Sequence, residues 1–298
     1  MIKRIIDISE SAYLHTDKKQ LLVDRDGQTI ASVPIEDLGV LILQHPAIVM
    51  TQRTILRCQQ NNVVVVFCDE RHLPYSVILP IAEGHSLHSK VLRDQIQTSL
   101  PVRKRLWQQI VKRKIREQIA TLQDFGIDST PLRRLETAVK SGDSENCEAQ
   151  AARIYWPLLM GEGFRRSDDE LSINALLNYG YAIMRAVVAR ALVGSGLHPA
   201  LGLHHHNQYD GLCLADDVME PFRPWVDLQV RQIAEQHSEP QIDKSTKQLL
   251  LGQLSKTVDW KGDRMPLMVA SHHLAANLRQ ALGESGGTLH YPKRIADA

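Results

Sequence analysis

The chain has 298 residues, within reach of one large domain or two at ~100–200 residues each. Apolar residues make up 43% and charged residues 23%, the balance of a globular chain rather than a disordered, fibrous or membrane-embedded one. Lysine and arginine total 35 against 34 acids, a formal charge of +1, so a uniformly basic nucleic-acid coat is excluded while a local basic patch is not.

Cys58, Cys68, Cys147 and Cys213 lie 10, 79 and 66 positions apart with no CxxC pair, which fits reduced thiols and a cytoplasmic setting. After Lys3 and Arg4 only Ile5 and Ile6 precede Asp7, too short an apolar run for a signal peptide. Residues 1 to about 83 carry strand signals: Ile5-Ile6, Tyr13-Leu14, Gln20–Val23, Thr29–Val33, Val40–Leu43, Val63–Phe67 and Ser76–Leu79, with turn residues such as Asp24-Arg25-Asp26-Gly27 between them. A short helix over about 51–60 interrupts them. The pattern changes around Glu83-Gly84-His85-Ser86, and helical spacing then recurs over about 88–99, 101–124, 130–141, 145–161, 172–194, 214–236, 242–256 and 266–282. Strands first and helices after predict an α+β, multidomain fold rather than an alternating βαβ sheet. We expect an N-terminal all-β, sandwich-like domain over 1–84 and a larger all-α domain over 85–298. The apolar segment from Ala175 to Leu197 is broken by Arg185 and Arg190 and reads as a buried helix, not a membrane span. The tail from Gly283 is polar and expected to be loosely held.

Three features could carry chemistry. The first is Arg103 to Arg116, where Arg103, Lys104, Arg105, Lys112, Arg113, Lys114 and Arg116 supply seven positive charges and no acid intervenes. At ~100° per residue Arg105, Lys112 and Arg116 fall within about 40° of one another, opposite the apolar side Leu106, Trp107, Ile110, Val111 and Ile115. Such a ridge suits a phosphate backbone or is merely a solvated face. The second is Glu148, Ala152 and Tyr155 at i, i+4 and i+7, which places a carboxylate on an inward-packing face. Its partner is either a neighbouring arginine or a metal. The third is His204-His205-His206 followed by Asp216, Asp217 and Glu220. In an extended segment either His204 and His206 or His205 alone faces a given site, and either Asp217 or Asp216 shares a helix face with Glu220. One imidazole with carboxylates is a donor set for Mn2+ or Mg2+, whereas a thiolate zinc site is disfavoured.

Taken together, Glu148-x-x-Ala151-Ala152-x-x-Tyr155-Trp156, Asn174 to Tyr181, Gly196-Leu197-His198-Pro199, Gly202-x-His204-His205-x-Asn207 and Asp217-x-x-Glu220-Pro221-Phe222-Arg223-Pro224 resemble the CRISPR-associated spacer-acquisition integrases, the Cas-one family, and most of all its type II members that accompany the Cas-nine effector. The resemblance covers essentially the whole chain. It implies a metal-dependent DNA endonuclease and strand-transfer enzyme in which Glu148, His205 and Glu220 are catalytic and hold Mg2+ or Mn2+. Many members have Asp where Glu220 stands. It further implies a homodimer, partnered by a small dimeric Cas-two protein in a heterohexamer that holds double-stranded DNA, both the incoming prespacer and the CRISPR repeat, with dimer and partner contacts in the N-terminal domain. Arg105, Lys112, Arg116, Arg165 and Arg166 are candidate DNA contacts on charge alone. The alternative is a non-catalytic nucleic-acid-binding scaffold whose acids and histidines are structural; a small-molecule metallohydrolase would instead need a closed pocket and no basic ridge. The absence of a GxxxxGK[ST] loop fits phosphodiester exchange that needs no nucleotide. A self-repelling acid cluster also predicts that Glu220→Gln leaves the metal-free fold intact or slightly more stable.

Overall fold

The computed structural model describes residues 3–81, 85–166, 172–237, 240–283 and 287–295. In chain order the N-terminal region runs β1 (Arg4–Ile8), β2 (Tyr13–Asp17), β3 (Gln20–Arg25), β4 (Gln28–Pro34), β5 (Leu38–Leu43), β6 (Val49–Met50), α1 (Gln52–Gln60), β7 (Val64–Cys68) and β8 (Pro74–Ile78). One sheet has the order β1-β5-β7-β8 and a second the order β4-β3-β2-β6. The hairpin β3–β4 turns at Asp26 (φ 51°) and Gly27 (φ 77°), the left-handed pair that matches strand twist and that Asp-Gly supplies.

The sandwich follows from period-2 alternation. Leu41, Leu43 and Val65 face Leu14, Leu21, Val23 and Val33 of the second sheet, whereas Val40, Ile42, Val64 and Val66 join the core of the helical region. β5 is buried at every residue, as a central strand covered on both faces must be. The pairings β1–β5 and β5–β7 are parallel, so β5–α1–β7 is one βαβ crossover inside a region expected to contain only strands and an intervening helix. The expected boundary at Gly84 lies outside the described residues.

The helical region comprises α2 (His88–Gln97), α3 (Leu100–Asp124), α4 (Thr130–Ala138), α5 (Cys147–Met160), α6 (Ser172–Gly194), α7 (Cys213–Met219), a 3-10 turn Glu220–Phe222, α8 (Arg223–Gln236), α9 (Lys244–Ser255) and α10 (Leu267–Gly283). α6 is long and apolar enough to span a bilayer, yet 83% of its most apolar window is buried; it is the central core helix. Gly180 lets α8 approach it, since a Cβ there would lie 2.5 Å from Val226 Cγ1. Two expectations need correction. The region is not purely helical: β9 (Thr257–Trp260), β10 (Asp263–Pro266) and β11 (Lys293–Arg294) form a small antiparallel sheet. Nor is the tail loose at 287–295. Tyr291 is buried with its hydroxyl donating to the Val218 carbonyl at 3.1 Å, and Arg113 donates to the Pro292 carbonyl at 2.8 Å. The four cysteines are free thiols.

Candidate active site

Helix α3 presents Leu106, Trp107, Ile110, Val111 and Ile115 to the core, as its apolar spacing predicts, and with them Lys114. The Lys114 ammonium lies 2.5 Å from Glu148 Oε1 and 2.5 Å from Glu220 Oε2. One cation therefore bridges two carboxylates brought from far along the chain. Glu148 sits in the first turn of α5, where the Asp143 carboxylate accepts from the backbone N–H groups of Cys147 (2.9 Å) and Glu148 (3.0 Å) and pins the helix start. Glu220 opens the 3-10 turn, and its Oε1 accepts from Arg223 Nε at 2.8 Å.

These side chains line a cavity of about 230 Å³ together with Gln118, Ala152, Trp156, Arg166, Tyr181 and Asp227. Burial alone would push the Glu220 carboxyl up; Arg223 and Lys114 overcome it and hold the group down at about 2. Burial likewise works against the Lys114 ammonium, but Glu220 and Glu148 hold it above its ordinary value. Asp227 behaves oppositely. Its burial dominates and pushes it up to about 7, although it accepts hydrogen bonds from the hydroxyls of Tyr155 (3.0 Å) and Tyr181. The Arg223 guanidinium stacks 4.6 Å over the Tyr181 ring, and that of Arg166 5.3 Å over it. With Lys114, Arg166 and Arg223 in its lining, the cavity suits a phosphodiester anion.

The histidine run folds around another buried acid. Asp217 is fully buried and accepts from the backbone N–H groups of Leu203 (2.6 Å), His204 (2.9 Å) and His205 (3.3 Å). Its Oδ1 is also 2.6 Å from His205 Nδ1, which commits that nitrogen to the carboxylate and leaves Nε2 as the one available to a ligand. His204 is stacked flat on Trp107 at 4.3 Å, with His205 edge-on at 5.7 Å. Gly202 permits this winding, because a Cβ there would sit 2.3 Å from the His205 carbonyl oxygen and 3.0 Å from Asp217 Oδ2. The Asp217 hydrogen bond raises the His205 imidazole above its ordinary value against the opposing effect of burial.

The expected site residues are thus only partly assembled. Glu148 and Glu220 meet; His205 does not line their cavity, and among the described residues no group of three His, Cys, Asp or Glu side chains is gathered at metal-binding spacing. The open choice between Asp216 and Asp217 is resolved in favour of neither as a Glu220 neighbour: Asp216 pairs with Arg185 at 2.7 Å and Asp217 serves the histidine loop. The basic ridge is thinner than its sequence suggests. Arg105 is exposed and Lys112 half-buried, but Arg116 is 2.6 Å from Glu136 and Arg113 2.7 Å from Glu117. Arg166 reaches the cavity, donating to Asn178 at 2.6 Å, while Arg165 is exposed. Sequence reasoning assigned no role to Arg223 or Asp227 and counted Lys114 in the basic stretch 103–116 without placing it on either face. A signal for Lys114 existed: it falls among Val111, Ile115 and Gln118 on the buried face of α3.

The carboxylate pair fits a divalent cation. With both distances to Lys114 Nζ at 2.5 Å, the two oxygens are no more than twice that apart, and both carboxylates stand at the wall of the same cavity. Oxygen donors converging on one positive charge suit Mg2+ or Mn2+.

Residues 6–256 match the family model described as CRISPR associated protein Cas1. The chain is 39% identical over 238 residues to the CRISPR-associated endonuclease Cas1 of Neisseria meningitidis serogroup C (strain 8013), covering 79% of this chain and 77% of the relative. It is 25% identical to a CRISPR-associated endonuclease Cas1 of Francisella tularensis subsp. novicida (strain U112), over 99% of both. In fold it is similar to a casposase bound to integration product (TM-score 0.78, 18% identity, 97% of this chain and 92% of that one). It is also similar to a CAS1 protein from Thermotoga maritima (TM-score 0.76, 15% identity, 94% and 97%). The matched family model and relatives make this chain a CRISPR-associated protein. The chain belongs to the Cas1 family.

Proposed function

We propose that this protein is a metal-dependent DNA endonuclease and integrase that joins short duplexes into a CRISPR repeat, with Glu148, Glu220 and His205 as its catalytic centre. The observation that carries this reading is the convergence of Glu148 and Glu220 on one cation position within a cavity lined by Arg223 and Arg166. Glu148, Glu220 and His205 Nε2 would hold Mg2+ or Mn2+, which supplies charge neutralisation at the scissile phosphate and acidifies the attacking hydroxyl. Arg166 and Arg223 stabilise the negative charge of the phosphate as its oxygens gain electron density. Asp217 fixes the imidazole rotamer and tautomer. In the joining step a 3′-hydroxyl oxygen forms a bond to phosphorus, the bond to the repeat strand's own 3′ oxygen breaks, and the proton lost by the nucleophile is balanced by one gained at the leaving oxygen. Bond count is conserved, so no nucleotide triphosphate is consumed.

The relatives' names support the partners as well: the fold neighbours include a Cas6-RT-Cas1–Cas2 complex and a TtCas1–DNA complex. We therefore assign this chain a homodimer bound to a small Cas-two dimer and duplex DNA in the cytoplasm, with dimer and partner contacts in residues 1–84 and, by the type II resemblance, contact with a Cas-nine effector. The scaffold reading keeps one observation of its own, the saturation of both glutamates by Lys114. The two readings separate in one assay. With Mg2+ or Mn2+, the small partner and a duplex bearing free 3′-hydroxyls, ends are joined into a repeat-containing supercoiled plasmid without ATP, and dideoxy-terminated ends are not. Product from blocked ends, or none under any divalent ion, contradicts the integrase reading.

A further inference from the structure

The Lys114 ammonium occupies the place between Glu148 and Glu220 that a divalent ion would take. We propose that Lys114 is an internal counter-cation, which holds the two glutamates in register in the metal-free protein and yields its position when the ion binds. The inference rests on the integrase reading for the identity of the ion, but its first half concerns the metal-free protein alone.

Three observations support it. The side chain is buried, with 11% exposure, and contacts both acids at 2.5 Å, so without it two ionised carboxylates would face each other in a low-dielectric cavity. Glu220 retains a second cation, Arg223, on its other oxygen, so its charge stays compensated when Lys114 leaves Oε2. Lys114 gives that oxygen a single charge-assisted contact, which a doubly charged cation can replace. Lysine is a point charge on a flexible stem rather than a planar fork, and the Asp227 carboxylate lines the same cavity and can receive the displaced ammonium. An arginine at this position would grip both acids through directed hydrogen bonds and resist exchange.

The test compares wild type with Lys114→Met, an uncharged side chain of similar length, by thermal melting in EDTA and with Mn2+, and by calorimetric titration of Mn2+ without DNA. In EDTA the variant should melt on the order of 5–10 °C lower. Saturating Mn2+ should recover at least half of that deficit, and the variant should bind Mn2+ roughly tenfold more tightly, since no internal cation has to be displaced. Glu148→Gln added to Lys114→Met removes one of the two repelling charges; it should restore melting in EDTA and abolish the response to Mn2+, and it gives the same information should the single variant not fold. A deficit that persists unchanged in Mn2+, or weaker Mn2+ binding by Lys114→Met, makes Lys114 an ordinary structural partner and overturns the proposal. The absence of any Mn2+ response in wild type and variant alike contradicts the metal reading, and the exchange with it.

Discussion

Glu220 and Asp227 line one cavity and are both almost fully buried, yet they sit at opposite ends of the carboxylate range. Glu220 lies between two cations and is held down at about 2. Asp227, which accepts hydrogen bonds from the Tyr155 and Tyr181 hydroxyls and feels Arg223 and Lys114 only at longer range, is pushed up to about 7 by its burial. Burial raises both; at Glu220 the cations in contact outweigh it, and at Asp227 nothing does. A carboxylate meant to stay charged in a protein interior needs cations in contact, while one that receives only neutral donors keeps its proton into the physiological range.

The largest expected effect falls on the charged side of that contrast. Glu148→Ala, His205→Ala and Glu220→Ala should each reduce strand joining below detection in a plasmid integration assay, whereas His204→Ala or His206→Ala should cost far less. Equal loss at all three histidines would remove the special place of His205. Asp217→Asn should lower joining about 10–100-fold, the usual cost of disturbing a ligand's orienting partner, with little loss of DNA affinity in a binding titration. Unchanged joining would show that the imidazole is oriented without it.

Stability separates the two acids by sign. Glu220→Gln should destabilise the metal-free protein by about 3 kcal/mol in denaturant melts, because it leaves Lys114 and Arg223 undercompensated. This reverses the expectation from an isolated acid cluster, which the ion pairs to Lys114 and Arg223 correct. Glu220 has a folded value near 2 against 4.5 ordinarily, so its contribution is present above about pH 4.5 and is lost as pH falls toward 2; the gap between wild type and Glu220→Gln should close over that window. Asp227 is raised from 3.8 to about 7, so the folded state binds the extra proton between those values and its burial becomes more costly as pH rises through them. Relative to wild type, Asp227→Asn should therefore gain stability from pH 4 to pH 7 and level off above. A gap of constant size across that range would place the Asp227 proton elsewhere. The smallest effect is Arg116→Ala, whose exposed pairing with Glu136 is worth no more than about 1 kcal/mol. If Arg105, Lys112 and Arg116 do contact phosphates, their triple Ala variant should flatten the slope of log K against log salt by about 0.9 per contact.

Much of this could be read from the chain beforehand, and the exceptions have physical causes. The helices of the C-terminal region carry long apolar periods that no other structure satisfies, and α6 announces its burial by composition. β9 to β11 were not legible, because Thr257–Trp260 and Asp263–Pro266 are four-residue strands with Lys261-Gly262 between them, too short for a periodic signal. The ordered tail is hidden for a similar reason: its buried anchors, Leu289 and Tyr291, stand among polar residues with no longer apolar period. At the site, residue types were visible and partners were not. Glu148 and Glu220 could be picked out, but which cation they share depends on α3 crossing both, a tertiary fact. Charge counting along α3 left Lys114 on neither face, although its helical position among Val111, Ile115 and Gln118 points inward.

The central claim is that Glu148 and Glu220 share a divalent ion at the place Lys114 now fills. Anomalous diffraction from crystals soaked in Mn2+ tests it most directly. The account predicts one strong peak within coordinating distance of both carboxylates, with His205 Nε2 turned toward it and the Lys114 ammonium moved away. A peak elsewhere, or none while Lys114 keeps both ion pairs, would contradict it.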